Sequence, residues 1–299
     1  NVNGSKLAKL LIPVPPLAEQ RRIVSALDRA LPLVDEIERA QSDLDALQAQ
    51  LRSKVLDLAV RGGLVPQDPA DEPASALLER AREERRALVA AGKARAPKGG
   101  DSLIFRASDG GHYEKRGKKI ERIDVPFELP GGWEWARLLS LFELDPRNET
   151  NDDIDASFLP MAAIDAGLVD RIHPEVRKWK DIKRGFTQFA DGDVVFAKIS
   201  PCFENGKYFI AKNLTNGIGA GTTELYVLRP TSELVDGRYV FDFLGSSLFV
   251  DGAKETFKGT AGQQRIKKVF IENCLIPIPP LTVQRRIVDR VNRTLSFLV

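Results

Sequence analysis

Cysteine and histidine are scarce in this chain of 299 residues. Cys202 and Cys274 lie far apart and form no Cys-x-x-Cys pair, which argues against a disulfide framework and indicates a reducing compartment, the cytoplasm. With only His112 and His173, the sequence offers too few imidazoles for a His-rich metal site. The composition therefore predicts a cytoplasmic protein without such a metal centre.

Long apolar runs are also absent. No stretch approaches the roughly 18 residues needed to span a bilayer, so no membrane association is predicted. Hydrophobic residues still make up 43% of the chain, which is enough for a globular core. The first residue is Asn1 instead of Met, and we therefore expect the chain to begin at a processed end or inside a larger protein.

Charge of one sign does not dominate, because the formal net charge is only +2. Between Lys93 and Arg122, however, nine Lys or Arg residues stand against four acidic ones. A stretch of this kind can follow a phosphate backbone, and on charge alone it can equally be a solvated linker. Since it is rich in Gly and Lys without steady periodicity, we interpret residues 93–125 as an extended or mobile basic linker.

One segment occurs twice, at an offset of 264 residues. Leu11–Val24 reads LIPVPPLAEQRRIV and Leu275–Val288 reads LIPIPPLTVQRRIV, with three differences. The apolar Leu-Ile start is typical of the end of a strand. The Pro-x-Pro-Pro run can continue neither the hydrogen bonds of a β-sheet nor a helix, and the residues after it have helical spacing. The repeat predicts a duplicated module in which a chain twice leaves a globular domain into a helix.

Residues 17–60 contain a heptad pattern. The predicted helix-pairing residues are apolar and fall on one seam: Ile37, Leu44, Leu47, Leu51 and Leu58. The narrow stripe favours a coiled-coil partner over packing on the chain's own domain, and Pro32 is expected to kink the helix or start a new segment. Gly62 suits the end of this helix, and Pro73 suits the start of a second one that runs to about Ala91.

Residues 126–280 have the mixed pattern of an α/β domain. Strands are predicted at 193–197, 208–211 and 224–229 and around Trp133 and Trp135, which are expected to be core residues. The Gly-rich run 217–221 is interpreted as a turn, and 238–249 as one amphipathic helix. The predicted fold class is α+β, with long coiled-coil-type helices at 17–92 and 281–299 flanking the linker and this domain.

Several unusual strings carry a resemblance to a known family. They are the two PxPPLxxQRRIV exits, LAVRGGLVPQDPADEP from Leu58, FELPGGWEW from Phe127, FADGDVVFAKISPCFENGK from Phe189, NGIGAGTTELYVLRP from Asn216 and GTAGQQRIKK from Gly259. In this order they resemble the DNA-specificity subunit of type I restriction–modification systems.

The resemblance implies a non-catalytic subunit that binds double-stranded DNA. In the family, two target-recognition domains each read half of a split site, and two paired helices fix the gap. Methyltransferase subunits clasp the assembly and restriction subunits complete it. Accordingly, 1–16 resembles the tail of a first recognition domain, 17–92 the central helices, 126–280 a recognition domain and 281–299 the start of the distal helix.

The sequence departs from the family pattern by lacking most of one recognition domain and most of the distal helix. We therefore expect either a fragment or a half-subunit that pairs with a second copy of itself. An alternative function is a helical scaffold that binds methyltransferase without reading DNA independently.

No enzyme active site is predicted. The Pro-Pro pairs are followed by Leu, unlike the target-base loop of an amino-methyltransferase, and the Gly-rich run precedes its strand instead of following one, which argues against a cofactor loop. Asp193, Glu204 and Lys207 fall near a nuclease pattern, but side chains three apart on a strand point to opposite faces. No cofactor or metal is expected.

Candidate DNA contacts cluster on turn-rich segments that combine cations for phosphates with donors and acceptors for base edges. For each, an ordinary surface or structural role is almost equally favoured. The predicted DNA-binding residues are Lys198, Ser200, Asn205, Lys207, Thr222, Thr223, Lys258, Thr260, Gln263, Gln264 and Arg265.

Overall fold

The structure is a computed structural model that describes residues 7–97, 99–166, 171–257 and 264–298. The helices are α1 (Leu17–Val60), α2 (Ala74–Ala90), α3 (Leu138–Leu141), α4 (Trp179–Ile182), α5 (Gly237–Leu244), α6 (Ser247–Glu255), α7 (Lys268–Asn273) and α8 (Leu281–Leu295), with 3-10 turns at Met161–Ala163, Thr215–Gly217 and Ser296–Leu298. The strands are β1 (Ser102–Arg106), β2 (His112–Arg116), β3 (Lys119–Ile123), β4 (Glu134–Arg137), β5 (Phe142–Leu144), β6 (Asp155–Leu159), β7 (Glu175–Lys178), β8 (Thr187–Ala190), β9 (Val194–Ala197), β10 (Tyr208–Ile210), β11 (Ile218–Gly221), β12 (Leu225–Pro230) and β13 (Leu275–Ile278). These elements confirm the predicted α+β class.

The chain divides into two units, residues 1–51 and 52–299. In the first unit α1 is one unbroken helix that contains Pro32, so the predicted new segment does not occur. The heptad side chains of this unit are exposed, with Ile37 at 69% and Leu47 at 62%. Their pairing with another helix stays a prediction. Within the described residues, no helix combines the length and the apolar character that a membrane span requires.

In the second unit the last turns of α1 belong to the core. Val55, Leu56, Ala59 and Val60 are buried, whereas the predicted pairing residue Leu58 is 47% exposed. Here the helix packs on its own domain. The side chains that it buries there are therefore not the heptad residues but those on a neighbouring face. Gly63 N–H donates to Leu58 O at 2.8 Å and Gly62 N–H to Ala59 O at 3.2 Å, with Gly62 at φ 76°. This Schellman motif satisfies the final carbonyls and confirms the predicted end of the helix.

Residues 102–123 differ from the predicted linker, because they form the antiparallel sheet β1-β2-β3. Ile104 is buried on one face, but Glu114 is buried where an apolar residue would mark a strand. Ser102 Oγ donates to Glu114 Oε1 at 2.6 Å, and Arg137 Nη2 on β4 donates to its Oε2 at 2.7 Å. Strands are predicted from alternating apolar residues, and here a buried carboxylate with hydrogen-bonding partners occupies a position that such a pattern assigns to an apolar residue.

The Glu114 site predicts acid-sensitive stability. Burial opposes ionisation of Glu114, but hydrogen bonds from Arg137, Ser102 and Arg116 outweigh it and lower its pKa to about 2. Since the folded pKa lies below the unfolded value, this stabilisation is complete above about pH 4.5 and is lost as the pH falls towards 2. We expect the wild type to lose about 3 kcal/mol more free energy of unfolding between pH 6 and pH 2 than Glu114→Gln.

Urea unfolding at a series of pH values measures this difference. Glu121→Gln is the matched control, because Glu121 is the cross-strand neighbour of Glu114 but is exposed. A wild type and a Glu114→Gln variant with parallel pH profiles would contradict the assignment.

Two four-stranded sheets form the body of the second unit. Their strand orders are β10-β9-β12-β5 and β7-β6-β11-β8, and β6 and β11 are the parallel pair. The predicted strands 193–197, 208–211 and 224–229 are confirmed as β9, β10 and β12, since their apolar runs are buried. The predicted helix 238–249 is instead two helices, α5 and α6, separated at Gly245–Ser246.

The Gly-rich run predicted as a turn is largely strand β11. Its glycines are needed because neighbouring strands approach closely. A Cβ on Gly219 would lie 2.5 Å from the Phe189 ring, and one on Gly221 would lie 2.6 Å from Leu159 O. Backbone without side chains at these positions allows β6 and β8 to pack around β11.

The second copy of the repeat adopts the predicted strand and helix. Leu275–Ile278 pairs with β4, and α8 follows after Pro279 and Pro280. The Gln284 amide donates to Pro279 O at 3.0 Å, and the Gln20 amide of the first copy donates to Pro15 O at 2.8 Å. The repeat therefore encodes the same local cap in both places.

Candidate nucleic-acid interface

The sheet connectivity brings several loops to one edge of the domain. The parallel strands β6 and β11 end side by side, with Leu159 in register with Gly221, and β8 starts beside them, with Thr187 opposite Gly221. β7 runs antiparallel to β6, so the residues before it also lie here. We call this the loop edge, and define it by residues 160–166, 171–174, 184–186, 198–207, 222–224 and 264–265.

The second sheet delivers its loops to the same place. β11 connects to β12 through Thr222–Glu224, and Leu225 at the start of β12 pairs with Ala197 at the end of β9. The described predicted DNA-binding residues all lie along the loop edge: Lys198, Ser200, Asn205, Lys207, Thr222, Thr223, Gln264 and Arg265. Lys258, Thr260 and Gln263 lie outside the described residues.

Backbone hydrogen bonds fix the 198–200 segment against 264–266. Ser200 N–H donates to Gln264 O at 2.8 Å, and Ile266 N–H donates to Lys198 O at 2.9 Å. Arg265 reaches Glu224 through two bonds of 2.8 and 2.7 Å. The Arg265 hydrogen bond lowers the Glu224 pKa, so the pair stays charged. Three segments far apart in sequence, 198–200, 222–224 and 264–266, are therefore joined into one surface.

Lys198 is the predicted cation whose charge stays available. Its ammonium lies 5.2 Å from the centroid of the Tyr226 ring. Within the described part of the chain this ammonium makes no hydrogen bond or ion pair, although its charge acts on the carboxyls of Glu224 and Asp145. A half-buried stem over an aromatic face with a free ammonium is suited to binding an anion that approaches the loop edge.

Lys207 has a different environment. Its ammonium donates to Ile164 O at 2.7 Å and to Met161 O at 3.0 Å. These bonds tie the 198–207 segment to the 160–166 segment. The predicted phosphate contact at Lys207 remains a prediction, and it competes with this role in positioning the loops.

A substitution at Lys207 distinguishes the two roles. We expect Lys207→Met to lower the free energy of unfolding by about 1–3 kcal/mol, because two partly buried carbonyls lose their donor. Thermal or urea unfolding measures this effect. Lys180→Met is the control, since that exposed ion pair should contribute at most about 1 kcal/mol. Unchanged stability of Lys207→Met, together with a salt dependence of DNA binding reduced by about one, would instead support a phosphate contact.

Two further cations of the loop edge were not predicted from the sequence. Arg171 precedes Ile172, which forms an antiparallel bridge with Ile164 beyond the end of β6, and Arg184 lies in the segment that enters β8. Both are exposed and, among the described residues, form no ion pair. The basic run from Arg171 to Arg184 was a signal in the sequence, but its strand and turn positions were not recognised.

The opposite edge of the same sheet has a different charge pattern. Lys178, Lys180 and Lys183 are there, and each is paired with an aspartate of residues 152–155 at 2.5–3.2 Å. Unpaired cations therefore occur at the loop edge, whereas the cations of the opposite edge are neutralised. The unpaired cations of the loop edge are therefore better placed than the paired lysines of the opposite edge to contact an anionic partner.

Asp193 of the nuclease-like pattern is a buried structural group. It is 1% exposed, accepts bonds of 2.9 and 2.8 Å from Arg229, and accepts the Ala190 N–H at 2.7 Å. Within the described residues no group of three or more His, Cys, Asp or Glu side chains could hold a metal ion. The predicted core positions of Trp133 and Trp135 are confirmed by their burial.

Residues 130–296 match the family described as type I restriction modification DNA specificity domain. The chain is 42% identical over 249 residues to the type I restriction enzyme EcoAI specificity subunit of Escherichia coli, and 42% identical over 250 residues to the EcoEI specificity subunit. Both alignments cover 83% of this chain and 39% of the relative, so the chain spans about two fifths of the length of these relatives.

Solved structures show weaker similarity. The HsdS subunit from Thermoanaerobacter tengcongensis aligns with a TM-score of 0.48 and 22% identity, covering 58% of this chain and 44% of that one. A chain from a study of complex assembly and conformational transition of the type I R-M system aligns with a TM-score of 0.46 and 20% identity, covering 99% and 57%. Because the family match covers more than half of the sequence, the chain belongs to the family of type I restriction modification DNA specificity domains.

Proposed function

We propose that the chain is a non-catalytic DNA-specificity subunit that reads one half of a bipartite site in double-stranded DNA. Membership of the DNA specificity family supports this function. The observation that carries it is the loop edge, where unpaired cations lie beside hydroxyl and amide side chains. Cations on phosphates set the register of a protein on DNA, and hydrogen bonds to base edges supply the sequence preference.

Within the proposal, each part of the loop edge has a distinct role. Lys198, Arg171 and Arg184 contact phosphates. Asn205, Thr222, Thr223 and Gln264 are the candidates for base contacts, whereas Ser200 is buried and donates its hydroxyl to Glu204, so it is less accessible to a base. Arg265 and Lys207 position the loops through Glu224 and the carbonyls of Met161 and Ile164. Loops held in place before binding lose less entropy when DNA arrives.

We further propose that the chain acts in the cytoplasm and docks methyltransferase subunits, with restriction subunits completing the complex. The exposed apolar side chains of α1 support a helical partner, either a second copy of the chain or the remainder of a longer subunit. The same stripe favours the second candidate function, a helical scaffold for methyltransferase that does not read DNA by itself.

Selection of duplexes from a random library, followed by fluorescence anisotropy, tests DNA reading. We expect one short sequence to emerge, and each mismatched base pair in it to weaken binding about 5- to 150-fold. Co-purification from the native cell should recover a DNA methyltransferase. Recovery of the methyltransferase without any sequence preference would overturn DNA reading and favour the scaffold.

A further inference from the structure

A cavity of about 280 Å³ lies between α2, the β1-β2-β3 sheet, the β4-α3-β5 segment and α7, and none of its lining residues belongs to the loop edge. Its apolar wall includes Leu139, Phe142 and Leu144. Six cationic and three acidic side chains line it; the cations are Arg82, Arg85, Arg95, Arg116, Arg137 and Lys268. Elements from four parts of the sequence therefore converge on a pocket with excess positive charge.

Most of these cations already have a carboxylate partner. Arg116 and Arg137 share Glu114, Arg82 pairs with Glu79, and Arg95 pairs with Glu143. Such pairs leave little free charge for a ligand. If all its cations were paired in this way, the cavity would offer no free charge to an anionic ligand.

Arg85 is the exception. It is only 5% exposed, one of its terminal nitrogens donates to Leu139 O, and its Nε is buried without a hydrogen-bond partner. The nearby acids Asp101 and Glu143 are engaged by Arg86 and Arg95 instead. Burial lowers the Arg85 pKa, and the charges of Asp101 and Glu143 act in the opposite direction. A buried guanidinium that, among the described residues, forms no ion pair and has an unpartnered Nε is costly, and an anion bound beside it would offset that cost.

Lys268, whose charge also acts on the nearby Asp145 carboxyl, supplies a second cation. It is exposed at the mouth of the cavity and, among the described residues, makes no ion pair. A guanidinium inside and an ammonium at the rim together call for more charge than a single carboxylate carries. Phosphate offers several oxygens and up to two negative charges, and guanidinium groups match it with paired hydrogen bonds.

We propose that this cavity binds the phosphate group of a phosphate ester, with Arg85 as its buried anchor and Lys268 at its rim. Its volume is close to the lower limit for small-molecule pockets, and its apolar wall suits a small organic body beside the phosphate. The phosphate can come from a free ester of nucleotide size or from a DNA backbone. The proposal stands independently of sequence reading by the loop edge.

Titration of the full chain with inorganic phosphate, and then with adenosine monophosphate, tests the pocket. Sodium chloride at matched ionic strength is the reference. We expect saturable binding by calorimetry and a rise in Tm of about 3–5 °C at tenfold excess over Kd. Tighter binding of the nucleotide than of phosphate would show that the apolar wall is used. No saturable binding of either probe would overturn the proposal.

Variants locate the site. Arg85→Met should weaken phosphate binding about tenfold or more, because a charged hydrogen-bond donor is lost. Lys268→Met should weaken it severalfold and, since Lys268 is exposed, without unfolding the chain. Arg106→Met on β1 is the matched control, because it removes an arginine that does not line the cavity. Equal binding by Lys268→Met and the wild type, with Arg85→Met folded and also unaffected, would place any bound phosphate elsewhere.

Competition between phosphate and duplex DNA distinguishes a free phosphate ester from a DNA backbone as the source of the bound phosphate. Displacement of bound phosphate by duplexes of any sequence identifies a backbone phosphate as the natural ligand. Retention of phosphate in saturating duplex identifies a free ester. Loss of sequence-selective DNA binding in Lys198→Ala with intact phosphate binding would separate this pocket from the loop edge.

Discussion

Replacing Asp193 by alanine should lower the free energy of unfolding by about 3–5 kcal/mol. The carboxylate is almost fully buried and accepts three hydrogen bonds, two of them from Arg229. Without it the guanidinium keeps only Asn148 Oδ1, at 2.8 Å, as a side-chain acceptor within the described residues. Removal of one partner of a buried pair costs more than the pair itself contributes, because the remaining charge is left uncompensated.

Urea unfolding followed by circular dichroism measures the loss. Asp251→Ala is the control: this aspartate is exposed on α6, so little change is expected. A well-folded Asp193→Ala variant of wild-type stability would contradict the structural assignment. If such a variant had instead lost a Mg²⁺-dependent cleavage shown by the wild type, the carboxylate would have to be reconsidered as a nuclease ligand.

The combined substitution Arg171→Ala, Arg184→Ala and Lys198→Ala should nearly abolish DNA binding. Each phosphate contact contributes about 0.9 to the slope of log affinity against log salt concentration, so the slope should fall by about 2.7. Near 0.1 M salt the affinity should fall about 10²–10³-fold, on specific and random duplexes alike. Anisotropy titrations between 50 and 300 mM salt measure both quantities.

The opposite edge of the sheet provides a control with the same change in net charge. Lys178→Ala, Lys180→Ala and Lys183→Ala together also remove three cations, but each of these is paired with an aspartate. We expect little change in DNA affinity or in its salt dependence. Equal losses in the two triple variants would mean that net charge, and not the loop edge, determines binding.

Local patterns were enough to predict much of the architecture. The helix after each copy of the repeat was predicted correctly, because Pro-x-Pro-Pro separates it from what precedes it. The predicted strand end forms only in the second copy, since Leu11 and Ile12 of the first copy are exposed and outside any strand. The long helix, the Gly62 cap and the strands β9, β10 and β12 were likewise encoded in periodicity and turn chemistry. The family was evident in the sequence because its strings occur in order, and the match over 130–296 confirms it.

The errors have physical causes that are not local. β1-β2-β3 was missed because its central buried residue is Glu114, whose burial depends on Arg137 at a distance of 23 residues. A Gly-rich run predicts a turn, but the glycines of β11 are needed because β6 and β8 pack closely on both sides of it. That closeness is visible only in the folded sheet. The pattern at 238–249 correctly predicts helical structure, but it does not predict the break at Gly245–Ser246 that divides this segment into two helices.

The sequence by itself determined the family, the α+β class, the repeated exit and the segments from which DNA contacts should come. Only the tertiary structure decided which cations of those segments are free. Register between β6, β8, β9, β11 and β12 places Arg171, Arg184 and Lys198 at one edge, and side-chain partners far away in sequence neutralise the lysines of the other edge. The charge of a residue can be read from its identity, but its availability depends on which neighbours the fold brings within hydrogen-bonding distance.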